Sequence, residues 1–304
     1  MRHFLDLLDV NADELNHLLA DAMAMKEAHQ RGERKPWLAG RVLGLVFEKP
    51  SLRTRVSFEA AMAQTGGSSI FLSATDGSLG KRESVPDFAR TLSQYVDAVA
   101  LRTFSHATVA EFAAHSTVPV INALSDQSHP CQVLGDLLTM QELFGKKLQG
   151  RTLVFVGDGN NVARSMAVGC AMLGVRFVLA APDGYRFEDE FVQTLQKRLP
   201  RGEVIQNGIP AHAVGGADVI YTDVWTSMGQ EAEHEERLQK FAPFQVNAEL
   251  LALAPAHTRL MHCLPAHRGE EVTAEAMESE RSIIFEQAGN RMHAQKALLK
   301  WLMA

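Results

Sequence analysis

The sequence predicts an α/β protein of two doubly wound domains, each a parallel sheet flanked by helices, joined by a linking helix and the C-terminal helix. Two observations carry that expectation. Short apolar runs alternate with segments of helical period, which places parallel strands beneath covering helices. The alternation also comes in two series, separated by a helical stretch at Cys131–Leu143 that Gly145-Lys146-Lys147 ends. With 304 residues and 46% hydrophobic content, there is material for two cores. The expected division is 1–134, with the closing helix 287–304 packing back on it, and 135–286.

Taken in order, Asn11 with Glu14 three residues on resembles a capping box, and Leu15, Leu18, Leu19 and Ala22 then share a helical face. Strands are expected at Val42–Phe47, Ser69–Leu72, Ala98–Leu101 and Val118–Asn122, with helices at Arg53–Thr65, Val85–Tyr95 and Ala107–His115. The second series has strands at Thr152–Val156, Phe177–Ala181, Val219–Tyr221 and Leu260–Cys263, with helices near Val162–Leu173 and Glu188–Arg198. A helix from about Gln287 to Met303 closes the chain. No internal repeat or low-complexity segment interrupts the order.

Charge and cysteine content exclude several classes. A net charge of −6 argues against a general binder of nucleic acid or membrane surfaces, so any basic site is local. Cys131, Cys170 and Cys263 form no metal-binding spacing and leave an odd thiol, as in a reducing compartment. The opening MRHFLDLLDV carries acids where a signal peptide is apolar. The longest apolar stretch, Met166–Val175, is too short to span a bilayer. A soluble, cytoplasmic protein is expected.

The chemistry should lie in loops at the carboxyl ends of the strands. Foremost is FEKPSLRTRVSFE, Phe47–Glu59, where a strand hands over to a helix N-terminus at Ser51, Arg53, Thr54 and Arg55. Free N–H groups, the helix dipole, guanidinium forks and hydroxyls suit a phosphate there. A capped helix with solvated arginines is the plainer alternative. Ser78-Leu79-Gly80-Lys81 follows the second strand, Arg102 the third, and His129-Pro130-Cys131-Gln132 opens the linking helix. In the second series, Gly157–Asn161, Asp223–Gly229 and His262–Glu270 follow strands. Cationic and donor groups thus gather in the first half, and amide, acid, hydroxyl and thiol groups in the second. That asymmetry suggests a small anion on one domain and a zwitterion or cation on the other. Each residue has a plainer reading: His129 as a helix cap, Arg102 in an ion pair, Cys263 as inert core, Asp223 capping its turn. Gly157-Asp158-Gly159 followed by Asp183 imitates a dinucleotide fingerprint, but Val162 holds the third glycine's place.

Together these clusters resemble the ornithine carbamoyltransferases, relatives of the aspartate carbamoyltransferases. The match runs through SLRTR, HPCQ at His129–Gln132, DGNN at Asp158–Asn161, DVWTSMGQE at Asp223–Glu231, HCLPAHRGEE at His262–Glu271, and Asn290-Arg291. The resemblance implies a carbamoyl phosphate site of Ser51, Leu52, Arg53, Thr54, Arg102, His129 and Gln132, completed by Arg291 and the backbone of Cys263 and Leu264. It implies ornithine contacts from Asn161, Asp223, Ser227 and the Met228 backbone, with Cys263 near the side-chain amine. Arg53, Arg102, His129, Asp223 and Cys263 would carry the catalysis. No metal, cofactor or covalent intermediate is implied. The family forms trimers with active sites at subunit boundaries and closes its two domains over the ligands; a role in arginine biosynthesis is expected.

Two departures stand out. Leu52 replaces the family's usual threonine, a change tolerable where the position gives only its N–H. Ser78, with Lys81, replaces a glutamine that ornithine enzymes present from a neighbouring subunit, and the loop resembles that of the aspartate enzymes. Ser78 and Lys81 are therefore expected to reach carbamoyl phosphate on the adjacent subunit; a mobile loop with a solvated lysine is the plainer reading. N-acetylornithine, N-succinylornithine or putrescine as acceptor, a nicotinamide-dependent oxidoreductase and a non-catalytic relative are the competing readings.

Overall fold

The first sheet is built on β1 (Val42–Phe47), whose apolar run is buried from Leu43 onward. β2 (Ser68–Leu72) and β3 (Ala98–Arg102) pair with it on either side, and β4 (Val120–Leu124) lies beyond β3, all parallel. The second sheet has the order β7-β6-β5-β8-β9, again all parallel. Its strands are β5 (Thr152–Val156), β6 (Arg176–Ala180), β7 (Glu203–Asn207), β8 (Val219–Thr222) and β9 (Arg259–His262). This computed structural model describes the chain except residues 74–78, 80–82, 228 and 230 and the side chain of Glu231.

The chain divides into two units, Met1–Thr139 with Gly289–Ala304, and Met140–Ala288. The first holds α1 (Ala12–Gln30), α2 (Leu52–Gln64), α3 (Val85–Leu92) and α4 (His106–His115). The second holds α6 (Asn161–Leu173), α7 (Asp189–Arg198), α8 (Pro210–Ala213), α9 (His234–Phe241), α10 (Ala248–Leu253) and α11 (Ala274–Met277). The division runs through α5 (Pro130–Phe144) and α12 (Ile284–Met303). Both units are parallel sheets flanked by helices, as the alternation predicts. Val99, Leu101 and Phe112 are core residues of the first, and Val154, Ile220, Leu260 and Phe241 of the second. Among the described residues no helix is long and apolar enough to cross a membrane.

Local signals account for most element ends. Asn11 does close a capping box: its Oδ1 accepts from the N–H groups of Asp13 and Glu14, and Glu14 accepts from the Asn11 N–H at 3.1 Å. β4 starts two residues later than the apolar run suggests, because Pro119 has no N–H and contributes only its carbonyl, to Val99. β7 is an unforeseen strand. It is an edge strand with no fully buried residue, so its sequence shows little hydrophobic pattern. The short helices α8 to α11 were not expected either, being at most eight residues long.

Strand order fixes where loops converge. In the first sheet the chain runs from β1 to β2 and then returns to β1's other side with β3, so the switch point lies between β1 and β3. In the second it lies between β5 and β8.

Candidate active site

At the first switch point, Ser51 is the N-cap of α2 and its Oγ accepts from the Thr54 N–H at 3.3 Å. The same hydroxyl donates to Thr54 Oγ1 at 3.0 Å. Thr54 is fully buried and also accepts from Arg291 Nη2 at 3.0 Å. This puts Arg291, from α12, against the start of α2. Leu52, three-quarters exposed, offers no buried side chain at the helix start, so its backbone N–H is what this position supplies. Arg53 is half-buried beside it. Arg55 turns away: it pairs with Glu59 at 3.0 Å and lies over the Phe71 ring.

Arg102 is the last residue of β3, opposite Phe47 of β1, and is buried. His129 precedes α5, whose first residue, Pro130, is preset for a helix start. Burial, then Arg291, Arg102, Lys49 and Arg53, hold His129 well below the usual histidine range. It is therefore a neutral imidazole at physiological pH. Gln132, one turn on, gives its Nε2–H to Asp136 Oδ1 at 2.8 Å. Its buried Oε1 accepts no hydrogen bond among the described residues. Cys131 donates to the Asn122 carbonyl, and burial pushes its thiol up to about 12. It is an inert thiol.

Two contributors are silent in the sequence. Lys49 joins the positive field, and burial and Arg102 lower its own pKa. The Pro50 next to it hides its role by reading only as a strand breaker. Gly135 has no side chain where a Cβ would meet Arg291 Cα at 3.1 Å and N at 3.2 Å. That close approach lets α12 deliver Arg291. Asn290 secures the same helix, donating to Thr139 Oγ1 at 2.9 Å and accepting from Lys26 at 2.7 Å.

At the second switch point, Asp223 follows β8 and is nearly buried. Its Oδ1 accepts from the Val224 N–H at 2.8 Å and from the Cys263 thiol at 2.9 Å. Its Oδ2 accepts from Asn160 Nδ2 at 2.9 Å. Asn160 is also the N-cap of α6, accepting from Val162 and Ala163 N–H groups, and Asn161 is that helix's first residue. The two glycines before them serve this turn. Gly157 has φ +143°, and a Cβ on Gly159 would meet the Tyr185 carbonyl at 2.9 Å. Asp158 pairs with buried Arg237 at 2.7 Å, yet burial still raises its pKa. Arg237 also donates to the Trp225 carbonyl at 2.9 Å and so holds the segment that leads to Ser227.

Cys263 lies just past β9 rather than inside it, and its contact with Asp223 makes it part of this cluster rather than inert core. His262, to which the sequence assigns no role, organises the turn after β9. Its Nδ1 accepts from the Leu264 N–H at 2.8 Å and its Nε2 donates to Glu271 Oε1 at 2.9 Å. Leu264 takes φ +58°, costly for a branched side chain, and this bond helps hold it there. The signal was present in HCLPAHRGEE, but nothing in the linear spacing shows that the histidine and the second glutamate meet. Ser78, Lys81 and Met228 lie outside the described residues.

Thus the structure brings Ser51, Thr54 and Arg291 into contact, with Arg53, Arg102 and His129 in one electrostatic group, and separately joins Asp223, Cys263 and Asn160.

Comparison with known proteins assigns a family to each half of the chain. Residues 2–142 match the carbamoyl-P binding domain of aspartate/ornithine carbamoyltransferase, and residues 149–302 match its Asp/Orn binding domain. An ornithine carbamoyltransferase of Bacillus subtilis is 49% identical over 99% of this chain and 94% of its own. One of Anoxybacillus flavithermus is 48% identical over 99% and 96%. The solved ornithine carbamoyltransferase of Pyrococcus furiosus superposes with a TM-score of 0.96 at 46% identity, covering 99% of this chain and 97% of that one. Two family domains in order and full-length relatives at nearly half identity have one consequence: the chain belongs to the aspartate/ornithine carbamoyltransferase family.

Proposed function

We propose that the protein is an ornithine carbamoyltransferase, moving the carbamoyl group of carbamoyl phosphate to the δ-amine of L-ornithine to give L-citrulline and phosphate. The observation that carries the choice of acceptor is Asp223. A near-buried carboxylate at the second switch point, held by Asn160 and Cys263, suits an amine-bearing substrate and repels an anionic one such as aspartate.

In this reading the N-terminus of α2, with Ser51, the Leu52 N–H, Arg53 and Thr54, takes the phosphate, and Arg102 and Arg291 add charge. Neutral His129 and Gln132 serve the carbamoyl end, with the Cys263 and Leu264 backbone. Asn161, Asp223, Ser227 and Met228 hold ornithine's α-carbon groups. Cys263, its proton directed at Asp223, leaves sulfur lone pairs to accept from the reacting amine. That amine must first lose a proton, since a free primary amine is mostly charged at neutral pH. It attacks the carbonyl carbon; the oxyanion develops beside Arg53, Arg102 and His129; collapse breaks the C–O bond and expels phosphate, which takes the proton given up by the attacking nitrogen. Holding both reactants in position supplies much of the remaining acceleration.

Ser78 and Lys81 are assigned to phosphate on a neighbouring subunit of a homotrimer, on the strength of their loop's likeness to the aspartate enzymes. Unchanged turnover and carbamoyl phosphate KM in Lys81→Ala would refute that assignment. A cytoplasmic role in arginine biosynthesis completes the proposal. The deciding assay supplies carbamoyl phosphate with ornithine, N-acetylornithine, N-succinylornithine, putrescine or aspartate and follows phosphate and ureido product. Turnover with ornithine alone is expected; preference for another amine would overturn the acceptor assignment.

A further inference from the structure

After Cys263 the chain makes a tight turn whose residues carry a second cluster of ligating groups. Donor atoms of His267, Glu270 and Glu271 lie within 4.8 Å of one another. The turn is built: Glu270 N–H bonds to the His267 carbonyl, Gly269 N–H to the Val272 carbonyl, and Gln245 Nε2 to the carbonyls of Gly269 and Glu270. A fourth group approaches from the segment after β8, with His234 Nε2 standing 3.9 Å from Glu270 Oε1, while His267 Nδ1 stands 3.4 Å from Glu270 Oε2.

Two further observations point to a cation. Glu271 has no exposed surface, and its Oε1 is used by His262 Nε2 and the His267 N–H, yet its buried Oε2 accepts no hydrogen bond among the described residues. The neighbouring Glu270 Oε2 is likewise buried without one. Two carboxylates that each keep a buried oxygen outside any hydrogen bond among the described residues, and whose ligand atoms lie within 4.8 Å, repel each other, and a cation relieves that repulsion. The second observation is the orientation of His234. Its Nδ1 lies 3.2 Å from the Thr226 hydroxyl, which leaves Nε2 toward Glu270, as in metal-bound histidines whose other nitrogen is held by an oxygen.

We infer that His267, Glu270 and Glu271, with His234 as a fourth ligand, form a divalent-metal site distinct from the proposed substrate contacts. Mixed imidazole and carboxylate donors suit zinc, cobalt or nickel and disfavour calcium and magnesium. Ligands about 2.0–2.2 Å from a tetrahedral ion stand roughly 3.4 Å apart. The His267–Glu270 separation of 3.4 Å already meets that figure. A bound ion ties the segment after β8 to the turn after β9, so its role is structural. Among the described residues a second such cluster, Asp223, His262 and Cys263, is a weaker candidate, since both ring nitrogens of His262 are engaged.

The test is cobalt(II) titration of the chelator-treated full chain, read by visible absorption and metal stoichiometry, with circular dichroism to confirm folding of each variant. One ion per chain is expected. Loss of a direct ligand in His267→Ala or Glu270→Gln should weaken binding more than the roughly 100-fold that outer partners cost. His234→Ala should weaken it at least about 10-fold by the same scale, and Cys263→Ala should leave it unchanged. No binding up to millimolar cobalt would overturn the site, as would undiminished affinity in His267→Ala. So would a thiolate-to-cobalt charge-transfer band that disappears in Cys263→Ala, which would move the ion to Asp223 and Cys263.

Discussion

His262 Nε2 lies 2.9 Å from Glu271 Oε1, and neither side chain has any exposed surface. With the other nitrogen accepting from Leu264 N–H, the ring bears its proton on Nε2 and acts as a strut between a buried carboxylate and the strained backbone at Leu264. His262→Ala removes the acceptor for Leu264 and strands the carboxylate. A displacement of about 1 Å at a reacting group can cost about 100-fold in rate, so a loss of that order in kcat is expected. Carbamoyl phosphate binding, whose phosphate contacts are assigned to α2, should weaken far less, since only the Leu264 backbone contact is disturbed. Equal losses in both, by single-turnover kinetics and calorimetry, would show general unfolding instead.

Gly135→Ala sets two effects against each other. Alanine gains about 1 kcal/mol of helix propensity, but its Cβ would meet Arg291 backbone atoms, and overpacking against backbone costs about 1–3 kcal/mol. The clash should win. A net loss of about 1 kcal/mol lowers Tm by about 2–4 °C for units of this size. Because Arg291 moves with the clash, carbamoyl phosphate KM should rise as well; an unchanged or higher Tm with unchanged KM would show that α12 yields freely.

Sequence and structure meet most closely where an apolar run ends in polar residues. Val42–Phe47 leading to Ser51, and Val219–Tyr221 leading to Asp223, were legible because a buried parallel strand announces itself and its carboxyl end is where ligands gather. The capping box at Asn11 and Glu14 was equally local. What the sequence hid depends on contacts between distant residues. Gly135 matters only because Arg291 arrives beside it, and His262 only because Glu271 folds back on it. β7 was missed because an edge strand with neither face sealed does not need an apolar pattern. The plainer reading of Cys263 as inert core rests on its place at the end of an apolar run, whereas its thiol points at a carboxylate.

His293, buried in α12, has its pKa lowered to about 3 by burial, with Lys296 next and His29, Lys26 and Arg34 adding to it. In the unfolded chain it returns toward about 6.5. Between those values the unfolded state binds the extra proton, so stability rises with pH through this window and is lost as pH falls below about 6.5. His129 acts in the same sense. For His293 alone the linkage amounts to about 2 kcal/mol between pH 8 and pH 5. His293→Gln should therefore lose less stability than the parent chain on that descent, by about this amount. Denaturant titrations at both pH values measure the difference; parallel losses in the two proteins would mean that His293 is protonated in the fold.

Asn160, Asp223 and Cys263 form a chain in which one carboxylate accepts from an amide and a thiol. Asp223→Asn keeps the shape but removes the charge offered to an amine and turns an acceptor into a possible donor facing Asn160 Nδ2 or the thiol. Hydrogen bonds to charged groups are worth about 1.5–3 kcal/mol, so kcat/KM for ornithine should fall about 10- to 150-fold. Carbamoyl phosphate binding should be far less affected, because its phosphate is assigned to Ser51, Leu52, Arg53, Thr54, Arg102 and Arg291 of the first unit. Cys263→Ser keeps a donor to Asp223 but exchanges a soft, polarisable sulfur for oxygen, and should lower kcat more than it raises ornithine KM. An Asp223→Asn enzyme with undiminished kcat/KM for ornithine would show that the amine is recognised elsewhere.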